Sequence, residues 1–272
     1  MMIKNPLELY KHLDQSNCRR CMLPSCMAFS VAVIQGQKKL NDCPLLSEEK
    51  INELSGGIVQ KKSMSEEQEV HLAALRQELS QQDLRDISRR LDLPLKNGSV
   101  GVRCVGKHFW INGQGEMVSE CHRNNWVHIP VLRYLLQSKG RKPIGKWITF
   151  SDIENSGGKE AFFAHRCEQE MGRLAEEHTE VFYEILDLFE VEEIEDLQGK
   201  IDADKSFLLL PLPGVPFLIN YWEPEDAFPA KLNILFDITV SDNCNAESIY
   251  TLGRGMVEMF EQLILRHTMG NV

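Results

Sequence analysis

The sequence predicts an α+β protein: a small helical module with clustered cysteines, then a larger mixed α/β domain with antiparallel strands. Four of the eight cysteines lie between residues 18 and 43, among short helical patterns. Beta-type runs joined by Gly-containing turns begin near residue 99, and residues 247–266 carry an amphipathic helical stripe. We therefore divide the chain into a module over 1–60 and a domain over 61–272, with 61–98 as a helical connection.

The module is expected to be a set of short helices. Asn5 and Pro6 suit the N-cap and the first position of a helix, and Leu7, Tyr10 and Leu13 share one apolar face of it. Two further helices are predicted, one over 26–34 that stops at Gly36 and one that starts at Ser47–Glu49 and ends at Gly56–Gly57.

The remaining elements follow from hydrophobic period and turn residues. They are, in order, a helical stretch over 62–92, a turn at 94–98, strands at 100–105 and 108–111 with a turn at 112–115, a helix over 126–139 with Pro130 in its first turn and Gly140 at its end, a strand at 147–150, one or two helices over 159–190, a hairpin of 207–211 and 217–222 around Pro213-Gly214, a strand at 232–236, and a closing helix over 247–266.

Composition and charge limit the possible functions. No apolar run is long enough for a membrane helix, and the N-terminus has no signal-peptide pattern, so we expect a cytoplasmic protein without a membrane partner. The net charge of −10 argues against a generic nucleic-acid binder. Residues 1–62 carry nine Lys and Arg against six Asp and Glu, so the module is mildly basic beside an acidic body.

The clustered cysteines follow the pattern C-x2-C-x4-C-x16-C-P, formed by Cys18, Cys21, Cys26 and Cys43 with Pro44. In a reducing compartment such a cluster indicates metal or redox chemistry rather than disulfides. Three thiolates on one loop and a fourth after a helix can surround a [4Fe–4S] cluster. A structural zinc site is the alternative, but it normally uses two paired knuckles and only one is present here.

The segment from Pro6 to Glu49 resembles the N-terminal iron–sulfur domain of the corrinoid iron–sulfur protein large subunit. The residues that carry the resemblance are 6–13, Asn17 with the four cysteines, Leu23-Pro24-Ser25, Ala28-Phe29, Gly36 and the run 44–49. It implies that Cys18, Cys21, Cys26 and Cys43 ligate a [4Fe–4S] cluster, which in that family reactivates the corrinoid cobalt. Two departures are Arg19-Arg20 between the first cysteines and Met22 where a glycine is usual.

The rest of the chain does not resemble that subunit's barrel or its corrinoid-binding domain. The runs Trp147–Phe150 with Gly157-Gly158, Trp222–Ala230 and Leu235–Asp237 resemble an uncharacterised prokaryotic domain found behind such modules. This resemblance implies a two-part architecture and no particular activity.

Other candidate chemistry in the body is weak. Cys104, Cys121, Cys167 and Cys244 are expected to be buried apolar side chains, although Cys121-His122 with His128 is conceivable as a second metal site. Neither a phosphate-binding loop nor a dinucleotide or nucleophile-elbow motif is present. Three histidines, His108, His165 and His178, are most simply surface or core residues. The acidic residues Glu223, Glu225, Asp226 and Asp237 could line a pocket, but such a set is more often a solvated strand end.

Three hypotheses follow. The first is a [4Fe–4S] protein that transfers single electrons in anaerobic metabolism to a redox partner or a corrinoid protein. The second is a corrinoid-binding protein in which the cluster reduces cobalt. The third is a zinc-stabilised interaction module. The sequence favours an electron carrier or cofactor-binding protein over a stand-alone catalyst.

Overall fold

The computed structural model describes residues 3, 5–34, 38–57, 64–118, 124–189, 191–194, 202–225 and 228–270. The chain divides into two compact units, Met1–His71 and Leu72–Val272. The first is helical, and the second combines helices with antiparallel sheets. The predicted α+β class is therefore confirmed.

The first unit consists of short helices that begin at capping residues. Asn5 Oδ1 accepts a hydrogen bond from the N–H of Glu8 at 2.9 Å, and Ser47 Oγ accepts one from Lys50 at 3.4 Å, as N-caps do. The elements are α1 (Pro6–Tyr10), α2 (Cys26–Ile34), a 3₁₀ turn (Leu40–Asp42) and α3 (Glu48–Ser55), followed by α4 (Met64–Leu79), which continues into the second unit. Gly36, the predicted stop of α2, lies outside the described residues.

An apolar core holds the first unit together. Leu9 and Leu13 are buried in it, whereas Leu7 is 63% exposed. The expected inward face of α1 was therefore wrong, because Leu9, which lies four residues before Leu13, is buried in place of Leu7. The other buried members of this core are Ile3, Phe29, Val33, Ile34, Leu40, Cys43 and Leu54.

The second unit contains two antiparallel sheets, and nine helical segments begin within its described residues. Its helical segments are α5 (Leu84–Leu91), α6 (Asn125–Gln137), a 3₁₀ turn (Phe150–Asp152), α7 (Glu160–Phe163), a π-helical turn (Ala164–Gln169), α8 (Glu170–Glu177), α9 (Thr179–Leu188), α10 (Val240–Asn243) and the long α11 (Ala246–Gly270). Its strands are β1 (Leu95–Lys96), β2 (Ser99–Cys104), β3 (Lys107–Asn112), β4 (Met117–Val118), β5 (Trp147–Ile148), β6 (Glu192–Glu193), β7 (Lys205–Leu212), β8 (Val215–Trp222) and β9 (Lys231–Asp237).

The smaller sheet has the order β1-β2-β3-β4 and is built from consecutive hairpins. Its first two connections are the pairs Asn97-Gly98 and Val105-Gly106, and all four residues have positive φ. Two successive left-handed residues are what a tight two-residue hairpin turn requires. The predicted turn over 94–98 is confirmed at Asn97-Gly98 only, because Leu95 and Lys96 form β1. The hairpin turn after Asn112 is confirmed.

The larger sheet has the order β5-β9-β8-β7-β6 and is antiparallel throughout. Pro213-Gly214 joins β7 to β8 as predicted, and Leu212 pairs with Val215 across the turn. Phe217, Ile219 and Tyr221 alternate along β8 and enter the main core. The apolar stripe of α11 enters the same core, so the closing helix is part of one continuous core for this unit.

Two predicted helices differ from expectation. Because α6 begins at Asn125, Pro130 lies in its interior rather than in its first turn. A proline there cannot donate to the carbonyl of Trp126, four residues earlier, so α6 lacks one internal hydrogen bond. The stretch predicted as one or two helices forms two helical runs between residues 160 and 188. The first run differs from a regular α-helix, because it contains the π-helical turn between α7 and α8.

Candidate metal centre

The four clustered cysteines line one pocket of the first unit. Cys18 is exposed, Cys21 and Cys26 are partly buried, and Cys43 is buried. Cys43 stands seventeen residues after Cys26 in the sequence, and the fold returns it to the same pocket. The remaining lining residues are Asp14, Arg19, Ser25, Phe29, Pro44 and Leu45.

Cys26 is positioned by the start of α2. Its N–H donates to Asn17 Oδ1 at 2.8 Å, which ties the beginning of the cysteine loop to the beginning of the helix. Ser25 Oγ accepts from the N–H of Ala28 at 3.1 Å, as an N-cap side chain does. Ser30 Oγ donates back to the carbonyl of Cys26 at 3.0 Å. These bonds hold the Cys26 backbone from both sides.

The loop that carries Cys18 and Cys21 has an unusual backbone. Gln15, Asn17, Arg19 and Met22 all have positive φ, between 51° and 64°. Backbone segments that alternate between left- and right-handed residues form concavities of N–H groups, and many iron–sulfur sites use them. Met22 has a φ of 64°, a conformation that glycine adopts without strain and that other residues adopt rarely.

Cys43 is positioned by the 3₁₀ turn that precedes it. Its N–H donates to the carbonyl of Leu40 at 3.1 Å, and its own carbonyl accepts from Leu46 at 3.2 Å. Its backbone is extended, with φ −93° and ψ 109°. This is the conformation that a following proline favours, so Pro44 helps to fix the direction in which Cys43 enters the pocket.

The arrangement of the four thiols bears on the kind of metal group that the pocket could hold. Among the described residues, no three His, Cys, Asp or Glu side chains are grouped as the ligands of one ion would be. The ligands of a cubane cluster are each bound to a different iron, so they need to surround a common volume and not to meet at one point. A donor set of four thiols lining one pocket with Phe29 and Leu45 is compatible with such a cluster.

The other cysteines lie apart from this pocket. Cys104, Cys167 and Cys244 are buried in the core of the second unit, which confirms the expectation that they are small apolar side chains. Burial raises the pKa of Cys167 and of Cys244 to about 12 and that of Cys104 further still, so all three remain neutral thiols. Cys121 and His122, the core of the conceivable second metal site, lie outside the described residues.

The histidines have the ordinary environments that the sequence indicated. His128 is buried, and its Nε2 lies 2.9 Å from the carbonyl oxygen of Gly115. His108 and His165 are exposed, and His178 is partly buried between α8 and α9.

The acidic set around Trp222 does not form one pocket. Glu223 and Glu225 are exposed beyond the end of β8, and Asp226 lies outside the described residues. Asp237 is fully buried at the opposite end of β9 from Lys231, the residue paired with Trp222. The expectation of a solvated strand end therefore fails for Asp237.

Sequence reasoning missed the role of Asn17. Asparagine is one of the residues that tolerate a left-handed backbone and hydrogen-bond to nearby backbone groups. Its place directly before Cys18 was a usable signal, because a polar residue next to a ligand-bearing loop can organise that loop.

Two family models match separate parts of the chain. A family model described as "Putative Fe-S cluster" matches residues 13–45, which contain all four clustered cysteines. This segment is thus similar to iron–sulfur domains. A second model, described as a domain of unknown function (DUF3786), matches residues 83–259. That is more than half of the chain, and the protein belongs to the DUF3786 family.

Individual relatives match a short part of the chain. The chain is 50% identical over 50 residues to an acetyl-CoA decarbonylase/synthase complex subunit gamma 2 from Methanosarcina mazei, covering 18% of this chain and 11% of the relative. It is 40% identical over 42 residues to the corrinoid/iron-sulfur protein large subunit of Moorella thermoacetica, covering 15% and 9%. The chain thus spans about a tenth of the length of these relatives, and no solved structure matches it.

Proposed function

We propose that the protein binds a [4Fe–4S] cluster through Cys18, Cys21, Cys26 and Cys43 and transfers single electrons. The observation that carries the proposal is the convergence of these four side chains on one pocket of the first unit. When bound, such a cluster accepts and releases one electron at a potential set by hydrogen bonding and solvent exposure. The family match over residues 13–45 supports an iron–sulfur cofactor in this segment.

The chain's own residues have separate tasks in this proposal. The four thiolates hold the group, while Asn17 and the cap at Ser25 keep Cys26 in place. Phe29 covers the pocket from the core side, because it is buried and lines it. Ligation by thiolates alone concentrates negative charge and suits a low potential.

Electrons would leave on the side of Cys18. Cys18, Arg19, Arg20 and Met22 are exposed, and Met22 is 89% exposed. An exposed rim allows a partner to approach closely, and the two arginines suit a partner with an acidic surface. Outer-sphere transfer needs no substrate site beside the cluster.

The relatives indicate the kind of partner. Their printed names describe subunits of an acetyl-CoA decarbonylase/synthase complex and a corrinoid/iron–sulfur protein. We propose by extension that this protein works in anaerobic metabolism, in the cytoplasm, with a redox protein or a corrinoid protein as partner. The described residues contain no helix that is long and apolar enough to span a membrane.

Anaerobic purification of the full chain tests the cluster. We expect about four iron and four sulfide per chain and a broad visible absorbance that bleaches on reduction. Replacing any one of the four proposed ligands, for example in Cys43→Ala, should remove most of the iron. Cys244→Ala is the matched control, because Cys244 is also a buried cysteine but lies in the other core. Equal iron content in the two variants would refute the ligand assignment.

The same sample separates the alternatives. Corrinoid absorbance in addition to that of the cluster would favour a protein in which the cluster reduces cobalt, an alternative motivated by the relative from Moorella thermoacetica. A colourless protein with about one zinc per chain would favour a structural zinc module.

A further inference from the structure

A second cavity, of about 470 Å³, lies within the second unit. Its walls come from the β2–β3 hairpin, the first turn of α6, the end of α9 and the second half of α11. Cavities that enclose small organic ligands measure roughly 300–1,000 Å³. None of its lining residues lines the cysteine pocket, so this cavity is independent of the proposed cluster.

The inner wall of the cavity is apolar and aromatic. Phe109, Trp126, Phe189, Met259 and Leu263 contribute to it. Such side chains offer a broad surface for an aromatic or aliphatic group, as in most small-molecule sites.

Two of the aromatic rings are held in place by close packing. A Cβ atom at Gly255 would lie 2.2 Å from the ring of Trp126, so this ring packs directly on the backbone of α11. The ring of Phe189 stacks on that of Phe260 with centroids 6.2 Å apart and planes at 12°. The aromatic wall is therefore preformed, which lowers the entropy cost of binding.

The charged residues of the cavity leave an excess of positive charge. Lys107, Glu258 and Arg266 line it, and Glu258 is paired with Arg254 at 3.3 Å. Within the described part of the chain, neither Lys107 nor Arg266 has a carboxylate in ion-pair range. Lys107 Nζ lies 5.9 Å from the centroid of the Phe189 ring, so the ammonium group stays beside the aromatic wall. Two such cations are notable in a chain with a net charge of −10.

The first turn of α6 adds to the positive potential of the cavity. The helix has 13 residues, and its N-cap Asn124 and its residues Trp126 and Val127 line the cavity. No side-chain capping bond is formed at Asn124 within the described structure. The partial positive charge of a helix N-terminus favours anions, and here it acts together with Lys107 and Arg266.

We infer that this cavity binds a small organic anion with an aromatic or apolar body. The body lies against Trp126, Phe189 and Leu263, and the anionic group meets Lys107 and Arg266. The apolar wall supplies affinity, and the two cations select anions over neutral molecules of the same shape.

Calorimetric titration of the full chain with 2-naphthoate tests the inference. The neutral isostere 2-naphthamide serves as the ligand control, since it has the same rings without the charge. We expect saturable binding of one naphthoate per chain and clearly weaker binding of naphthamide. Lys107→Gln and Arg266→Gln should each weaken naphthoate binding about tenfold, the size of one lost charge-assisted hydrogen bond, and leave naphthamide binding unchanged.

Lys96→Gln is the matched protein control. Lys96 is a second lysine of the same sheet that lies over an aromatic ring, with Nζ 5.8 Å from the Trp110 centroid, but it does not line the cavity. This variant should bind naphthoate like the unmodified protein. The inference is overturned if naphthoate does not bind, if naphthamide binds equally well, or if Lys96→Gln weakens binding as much as Lys107→Gln.

Discussion

At the scale of single residues, Asp237 is the clearest case of a charge that the fold needs. It is fully buried, and Oδ2 accepts from the N–H groups of Ile144 at 3.0 Å and Gly145 at 2.7 Å. Oδ1 accepts from both the N–H and the hydroxyl of Thr239. Burial by itself would raise the pKa of Asp237, but these four hydrogen bonds outweigh it and hold the pKa below its usual range.

Asp237→Asn should destabilise the second unit. An amide can accept with one atom only, so the N–H groups of Ile144 and Gly145 would face an NH₂ group in a buried site. We expect a loss of about 2–4 kcal/mol in the free energy of unfolding, as for buried groups left unsatisfied. Urea unfolding measures it, and Asp152→Asn is the control because Asp152 is exposed. A similar effect of both variants would contradict the assigned role.

The stability that Asp237 supplies should depend on pH in one direction. Because its pKa is lower in the folded than in the unfolded state, the contribution is complete above the unfolded value of about 4. It is lost as the pH falls through the lowered folded value. The difference in the free energy of unfolding between the unmodified protein and Asp237→Asn should therefore shrink as the pH falls from neutral to acidic. A difference that stays constant down to acidic pH would contradict this pH dependence.

Met22 has a strained backbone conformation, and the cost of this strain can be tested by substitution with glycine. Its φ of 64° costs a non-glycine residue about 1–2 kcal/mol, while glycine adds some chain entropy in the unfolded state. Met22→Gly should therefore stabilise the first unit by about 0.5–1 kcal/mol. Arg20→Gly is the control in the same loop. Arg20 has no positive φ, so this variant should be less stable than the unmodified protein. Thermal unfolding that ranks the two variants alike would contradict the strain argument.

At the scale of elements, the packing of α11 on α6 depends on a single glycine. In a helix, Gly→Ala is normally stabilising, because alanine has the higher helix propensity. At Gly255 the added Cβ would fall 2.2–2.5 Å from three atoms of the Trp126 ring. The helix-propensity gain is about 1 kcal/mol at most, and overpacking of this kind costs more.

Gly255→Ala is therefore expected to lower the free energy of unfolding by about 1–3 kcal/mol, against the usual sign. It should also weaken naphthoate binding, because the Trp126 ring must move. Gly113→Ala is a control, since a Cβ there would meet no atom within 4 Å. Chemical denaturation and the same titration provide the two measurements. A stabilised Gly255→Ala protein would show that the two helices separate without cost.

The π-helical turn between α7 and α8 also has an element-scale explanation. It presents Glu168, whose Oε1 accepts from the N–H of Ile234 in β9 at 2.9 Å. Strand β5 pairs with β9 only at Phe236 and Asp237, so Ile234 lies beyond the paired part of that edge. A side-chain acceptor there satisfies a backbone donor that would otherwise remain open for another strand.

At the scale of the whole molecule, the two units have separate apolar cores. Removal of iron should therefore affect the first unit far more than the second. We expect anaerobic chelation to abolish the cluster absorbance and the unfolding transition of the first unit, and to leave the transition of the second unit in place. Differential scanning calorimetry before and after chelation measures both. If the protein shows one unfolding transition and chelation abolishes it entirely, the two cores unfold together.

Local rules were sufficient for much of this architecture. Asn5 and Ser47 cap helices, and Asn97-Gly98 and Pro213-Gly214 make turns, because their conformational preferences act over a few residues. The spacing of the four cysteines indicated the class of cofactor for the same reason, since the chemistry of thiolates is carried by the side chains themselves. The domain boundary near residue 60 and the ligand roles of the cysteines stay predictions.

Long-range packing settled what those rules could not. The burial of Asp237, the contact of Gly255 with Trp126 and the cavity beside Lys107 each join segments far apart in the chain, and no local preference encodes such meetings. The interior position of Pro130 was missed because the helix begins at Asn125, one residue before the predicted start, and helix boundaries are weakly encoded in local sequence. Sequence spacing thus predicted which groups would bind a metal, because thiolate chemistry belongs to the side chains themselves. The folded core determined which charges are buried and where a cavity remains, because burial depends on contacts between distant segments.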